Sequence, residues 1–167
     1  MLTVAGIDAS TRNTGITIMS DGKLVFYTLI DLHSEKDTMK RIQKMLLAVC
    51  DVLDKYNIDE IHMEKSFSKQ NVDTTQKLSN IAGGIMLYCA QNNIKFFHPM
   101  PSEWRKRIGM SQGNKVKRDV LKAEAIMAVK KEYGIDANDD VSESILLARS
   151  AFDLPKINIT EDDLWEI

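Results

Sequence analysis

The chain opens on a short apolar run, Leu2 to Ile7, that stops at Asp8. A run of that length closed by a polar residue predicts a buried strand. Thr14 to Met19 alternates and is rich in β-branched residues, and Asp21-Gly22 then reads as a hairpin turn into Lys23–Ile30. Three consecutive antiparallel strands are expected. The period then changes: Met39, Ile42, Met45, Leu46, Val49, Cys50 and Leu53 fall at helical spacing, and the helix should end near Asn57. Ile58 to Glu64 predicts a strand after that helix, the β-α-β order of a parallel pairing.

Leu78, Ile81, Ala82, Ile85, Met86 and Cys89 mark a second amphipathic helix, with Gly83-Gly84 inside it. Glycines there weaken the helix and usually permit another helix or chain to approach closely. Ile94 to His98 predicts a further strand, stopped by Pro99 and Pro101, and a polar, glycine-bearing loop follows from Gly109 to Asn114. A long helix is expected from about Lys115 to Tyr133, ended by Gly134, and a last one from about Asp139 to Phe152, with Pro155 beyond it. The order βββαβαβαα describes one mixed α/β domain over residues 1–167.

Length and composition agree with that picture. A chain of 167 residues can bury a proper core, and its apolar and charged fractions are ordinary for a globular protein. No apolar run approaches the ~18–20 residues needed to span a bilayer, and the first residues lack a basic secretion signal. Cys50 and Cys89 stand apart in expected helices, so buried free thiols in a reducing compartment, the cytoplasm, are anticipated. A net charge of −2 argues against coating nucleic acid by global charge. The charge is uneven, however. Arg105, Lys106, Arg107, Lys115, Lys117, Arg118 and Lys122 face a single acid, Asp119, in the same stretch. That stretch is either a DNA-binding face or the solvated face of a helix.

Four acids fall where chemistry could use them. Asp8 ends the first strand, and Glu64 ends another at the edge where open α/β sheets gather ligands. Asp140 and Glu143, spaced i, i+3 near the start of the last helix, share one face. Should that helix start pack beside the two strand ends, four carboxylates converge, and such crowding implies a neutralising cation. Oxygen donors favour Mg²⁺ or Mn²⁺ over zinc. Taken singly, each acid has a plainer reading: a turn former at Asp8, a surface residue at Glu64, a cap or first-turn acid at Asp139 and Asp140.

The segment Gly6-Ile7-Asp8-Ala9-Ser10-Thr11-Arg12-Asn13-Thr14-Gly15 resembles the opening motif of RuvC-type Holliday junction resolvases. The likeness continues in order. Met63-Glu64-Lys65-Ser66-Phe67 is similar to the family's second acidic site, and Lys77 to Ile85 to its glycine-bearing dimer helix. Asp140-Val141-Ser142-Glu143-Ser144-Ile145-Leu146-Leu147-Ala148 resembles its closing Asp-x-x-Asp-Ala-Leu helix. Small phage-borne members are the nearest comparison, which would place the protein in a host cytoplasm. Two departures stand out: Glu143 where a final Asp is usual, which leaves Asp139 or Asp136 as rival ligands, and Ser10 where Gly is common.

The resemblance implies an RNase H-like fold, three antiparallel strands followed by parallel ones, flanked by helices. It implies a metal-dependent endodeoxyribonuclease that nicks branched DNA, four-way junctions above all, leaving 5′-phosphates and 3′-hydroxyls. Asp8, Glu64, Asp140 and Glu143 would be both the catalytic set and the ligands of two Mg²⁺ ions ~4 Å apart, with Mn²⁺ able to substitute. A homodimer would set two such sites on opposite strands. Phe67, in a polar loop, would stack on an opened base or else anchor its own loop. Trp104 beside Arg105–Arg107 reads equally as a backbone contact or as core. Lys115, Lys117 and Arg118 at a helix start suit phosphate. Other readings remain open at this point: a ribonuclease H or transposase of the same fold, one lobe of an actin-like ATPase, or a DNA-binding module without catalysis.

Overall fold

The computed structural model describes residues 1–65, 72–111, 116–160 and 163. Its centre is a five-stranded sheet built from β1 (Thr3–Asp8), β2 (Asn13–Ser20), β3 (Lys23–Asp31), β4 (Glu60–Met63) and β5 (Lys95–Phe97) in the order β3-β2-β1-β4-β5. β1, β2 and β3 pair antiparallel, whereas β4 runs parallel to β1 and β5 parallel to β4. The expected mixed sheet is therefore present. The hairpin at Asp21-Gly22 has positive φ at both residues, 46° and 76°, the conformation that matches strand twist in a two-residue turn.

Helices cover both faces. The period-2 alternation of the strands sends Ala5, Ile7, Ile16, Ile18, Ile61 and Met63 to one side. There they meet α1 (Thr38–Leu53) and α2 (Val72–Asn92) through Met45, Val49, Ile81 and Ile85. On the other side lie α3 (Pro101–Ile108), α4 (Arg118–Tyr133) and α5 (Asp139–Arg149), joined through Trp104, Ile108, Ala125, Val129 and Ile145.

α5 lies directly on β1 and β2. Gly6 and Gly15 make this possible: a β-carbon at either would come within 2.2 Å of a helix carbonyl, Ser144 O or Asp140 O. Two residues beyond Gly15, and opposite Gly6, Thr17 Oγ1 and Ser144 Oγ share a hydrogen bond of 2.8 Å, so a buried hydroxyl pair locks the same contact.

Three expectations change. Pro99 and Pro101 were anticipated to stop a strand, but Pro101 also starts α3, at the first helical position where its missing N–H costs nothing. Glu103 Oε2 accepts from Met100 N at 2.7 Å, and Gly109, at φ 89°, closes the helix. The element order is accordingly βββαβαβααα. α5 is capped by Asn138, whose side chain accepts from Val141 N at 3.0 Å, which makes Asp139 the first helical residue, and the helix ends at Arg149 rather than Phe152. Finally, Cys89 is buried but Cys50 only partly so, both as free thiols. No helix among the described residues is long and apolar enough to cross a membrane.

Candidate active site

Alternation along the strands decides which acids can meet. Ile7 and Met63 face each other in the β1–β4 register and both point to the α1–α2 core. Asp8 and Glu64, one residue on, therefore emerge together on the α5 side, at the ends of two parallel neighbours. The α5 start, seated over Gly6 and Gly15, brings Asp140 and Glu143 to the same place. All four carboxylates line one cleft of about 540 Å³, with Arg118 and Lys122 of α4 also on its wall.

The cleft is electrostatically unfavourable for bare acids. Burial, and then Glu143, Glu64, Asp140 and Asp139, push the Asp8 carboxyl well above the usual range. Burial raises Glu64 to about 7 although the Trp104 hydrogen bond works against it. Glu143 is raised by burial in spite of Arg105, and Asp140 by burial and by Asp139. The residues fit a divalent cation by their chemistry: hard carboxylate oxygens, crowded so that each raises its neighbours' proton affinity. Among the described residues no three such side chains already stand in a single-ion coordination arrangement. Protein donors hold three of them instead. Trp104 Nε1 donates to Glu64 Oε2 at 2.6 Å, Arg105 donates to Glu143, and Asn13 bonds Asp140.

The rival ligands stand elsewhere. Asp139 is ion-paired with Lys122, an interaction that lowers its pKa against the effect of burial, and it does not line the cleft. Asp136 is exposed and sits 3.4 Å from Lys130.

The basic stretch divides. Lys106, Arg107, Lys117 and Arg118 are exposed, as a phosphate-facing group requires, and Arg118 reaches the cleft. Arg105 departs from the expected outward contact. It is 3% exposed, donates to Glu143, lies 3.9 Å from Glu124 and stacks 4.7 Å over the Trp104 ring. Its place on the inner turn of α3, between buried Glu124 and part-buried Glu143 at the cleft, gives it partners inside the protein. Phe67 and Lys115 fall outside the described residues.

Trp104 was legible as core, but its bond to Glu64 was not. The available signal was Pro101 followed by Glu103, a helix start that aims Trp104 inward. Lys65 also lines the cleft without any signal in the sequence, and Lys122 lines it as one member of the basic stretch.

A family model described as "Crossover junction endodeoxyribonuclease RuvC" matches residues 4–147, a span that takes in all four acids. The chain belongs to this family. Membership places it among DNA-cutting phosphodiester hydrolases and selects that reading over the ribonuclease H, transposase, ATPase and non-catalytic ones. The RuvC of Ehrlichia chaffeensis is 26% identical over 150 residues, 88% of this chain and 96% of that protein. The RuvC of Pseudothermotoga lettingae is 27% identical over 124 residues, 74% and 75% of the two chains.

Two solved structures carry the same fold. Thermus thermophilus RuvC in complex with a Holliday junction substrate matches with a TM-score of 0.71 at 14% identity, over 90% of this chain and 92% of that one. The yeast mitochondrial Holliday junction resolvase Ydc2 matches with a TM-score of 0.55 at 18% identity, over 88% and 76%. These likenesses establish the RNase H-like architecture of this RuvC-family chain.

Proposed function

We propose that this RuvC-family chain is one catalytic domain that resolves Holliday junctions and related branched DNA by paired, metal-dependent nicks leaving 5′-phosphates. One observation carries the reading: Asp8, Glu64, Asp140 and Glu143, from three separate elements, line a single cleft beside exposed cations. Those four acids are the catalytic set and the ligands of two Mg²⁺ ions, with Mn²⁺ able to substitute. Bound there, divalent cations supply Lewis-acid stabilisation of phosphate charge and lower the pKa of an attacking water. The chain itself holds the carboxylates at the strand ends and gathers phosphates with Arg118 and Lys122 at the cleft and Lys106, Arg107 and Lys117 near it. Phe67 and Lys115 keep their proposed DNA contacts from the sequence alone. Arg105 does not keep its own, because burial leaves it serving Glu143.

A homodimer follows from the outer face of α2. Nothing described lies within 4 Å of where a Gly83 β-carbon would stand, while Met86 and Leu87 are 47% and 60% exposed. An apolar stripe open at a glycine suits a second copy of the chain. We place the activity in the cytoplasm, the host's if the protein is phage-borne.

The test is cleavage of a synthetic four-way junction with Mg²⁺. The parent should yield symmetric nicks with 5′-phosphate ends, and Asp8→Asn should bind the junction without cutting it. A parent that cuts no junction with any divalent metal sinks the proposal.

A further inference from the structure

We propose that Trp104 and Arg105 are the positioning residues of this centre: one turn of α3 orients Glu64 and Glu143, acids from two different parts of the fold, toward the metal centre. The inference rests on the metal-centre reading above and adds the groups that aim its ligands.

A buried Trp usually finds some acceptor for its N–H. Here that acceptor is a carboxylate of the cleft: Trp104 Nε1 meets Glu64 Oε2 at 2.6 Å. The next residue in the chain, Arg105, donates to Glu143 Oε1. Each bond engages one oxygen of its acid and leaves the other, Glu64 Oε1 or Glu143 Oε2, outside that bond. Orientation of this kind is what partners of metal ligands provide.

α3 is built to hold such a position. Pro101 and Glu103 fix its start, Gly109 its end, and Trp104 and Ile108, both 2% exposed, seat it in the core. Arg105 is fixed in turn. It stacks on Trp104 and lies 3.9 Å from Glu124 Oε2, while Glu124 Oε1 accepts from Ser111 N at 3.0 Å. Glu124 Oε2 is buried without a hydrogen bond of its own, so the charge of Arg105 is what offsets it. A ladder thus runs from Ser111 through Glu124 and Arg105 to Glu143. The added methylene of Glu143, where the family pattern has Asp, gives that carboxylate the reach to meet Arg105.

The test uses Mn²⁺ binding to the full-length protein, read from the free-ion signal in electron paramagnetic resonance. Trp104→Phe keeps an aromatic ring but no donor. Arg105→Lys keeps the charge but loses the fork. Each should weaken Mn²⁺ binding about ten- to a hundredfold. Junction binding in EDTA should stay within about twofold of the parent, and excess Mn²⁺ should restore nicking, neither of which a general loss of structure would give.

Folded variants that bind Mn²⁺ as the parent does overturn the inference and leave the metal centre standing. If Trp104→Phe does not fold, Arg105→Lys alone decides. Absence of Mn²⁺ binding by the parent, or binding unaltered by Asp8→Asn, overturns the metal-centre reading and this inference with it.

Discussion

Gly15 lies so close beneath Asp140 that a β-carbon on it would come within 2.2 Å of the Asp140 carbonyl oxygen. The atom it would meet is backbone, which cannot rotate away as a side chain can. A residue of the second strand therefore sets the height of the helix that delivers two of the four acids.

Gly15→Ala should consequently lift the α5 start from the sheet, at a cost of about 1–3 kcal/mol or more, as overpacking does in a dense core. Gly83→Ala is the contrast. With nothing described near its β-carbon and a helical backbone, it should stabilise the protomer by about 0.5–1 kcal/mol. Urea melts measure both. Equal effects at the two positions would contradict the assigned role of Gly15.

Much of this architecture was legible from local pattern. Alternation in β1 and β2, the Asp21-Gly22 turn and the helical spacing of Met45, Val49 and Leu53 each report on near neighbours. Asp8 could be located because it closes an apolar run, and Glu64 because it ends the short strand expected after the first helix. The close seating of α5 was not visible, since Gly6 and Gly15 read as ordinary strand glycines until the helix above them is known. The burial of Arg105 was not visible for a related reason. A charge in a basic stretch reads as solvent-facing, and only the tertiary position of Glu124 and Glu143 makes a buried guanidinium tolerable. α3 is hidden in the sequence because Pro99 and Pro101 both read as strand stops, whereas Pro101 begins a helix.

Glu64 makes stability fall as pH rises when no metal is present. Its folded pKa is about 7 against an ordinary 4.5. Between those values the folded protein keeps a proton that the unfolded chain has released, so raising pH favours unfolding, and the loss is complete above the folded value. The full effect is about 3 kcal/mol, with Asp8 acting in the same direction. Melts in EDTA should show lower stability at pH 8 than at pH 5, and Glu64→Gln should flatten that difference. Divalent metal should bind more tightly as pH rises, because binding displaces the same protons. An unchanged slope in Glu64→Gln would show that other groups are responsible.

Arg118, exposed at the start of α4 and on the wall of the cleft, should contact phosphate. Arg118→Ala should then weaken binding to a four-way junction and lower the slope of log affinity against log salt by about 1. Lys23 is a suitable control. It pairs with Ser20 beside the hairpin, at the end of the sheet away from Asp8, so Lys23→Ala should leave the slope unchanged. Fluorescence anisotropy across a salt series measures both, and a matching drop at Lys23 would remove the case for a localised phosphate site.

Asp139 and Asp140 are adjacent in sequence and opposite in expected effect. Asp140 lines the cleft with Asp8, Glu64 and Glu143, whereas Asp139 is ion-paired with Lys122 and does not line it. Asp140→Asn should lower the cleavage rate on the order of a hundredfold or more, the loss of about 3 kcal/mol of transition-state stabilisation. Asp139→Asn should cut within about threefold of the parent and cost at most about 1 kcal/mol of stability, from a partly exposed ion pair and a first-turn acid at the helix dipole. Single-turnover cleavage of a four-way junction at saturating Mg²⁺ distinguishes the two. Should Asp139→Asn be the inactive variant, α5 would have to turn about its axis on binding metal. Because Asp139 and Glu143 are spaced i, i+4 and share a face of α5, that turn would keep Glu143 at the cleft and overturn the assignment of Asp140 alone.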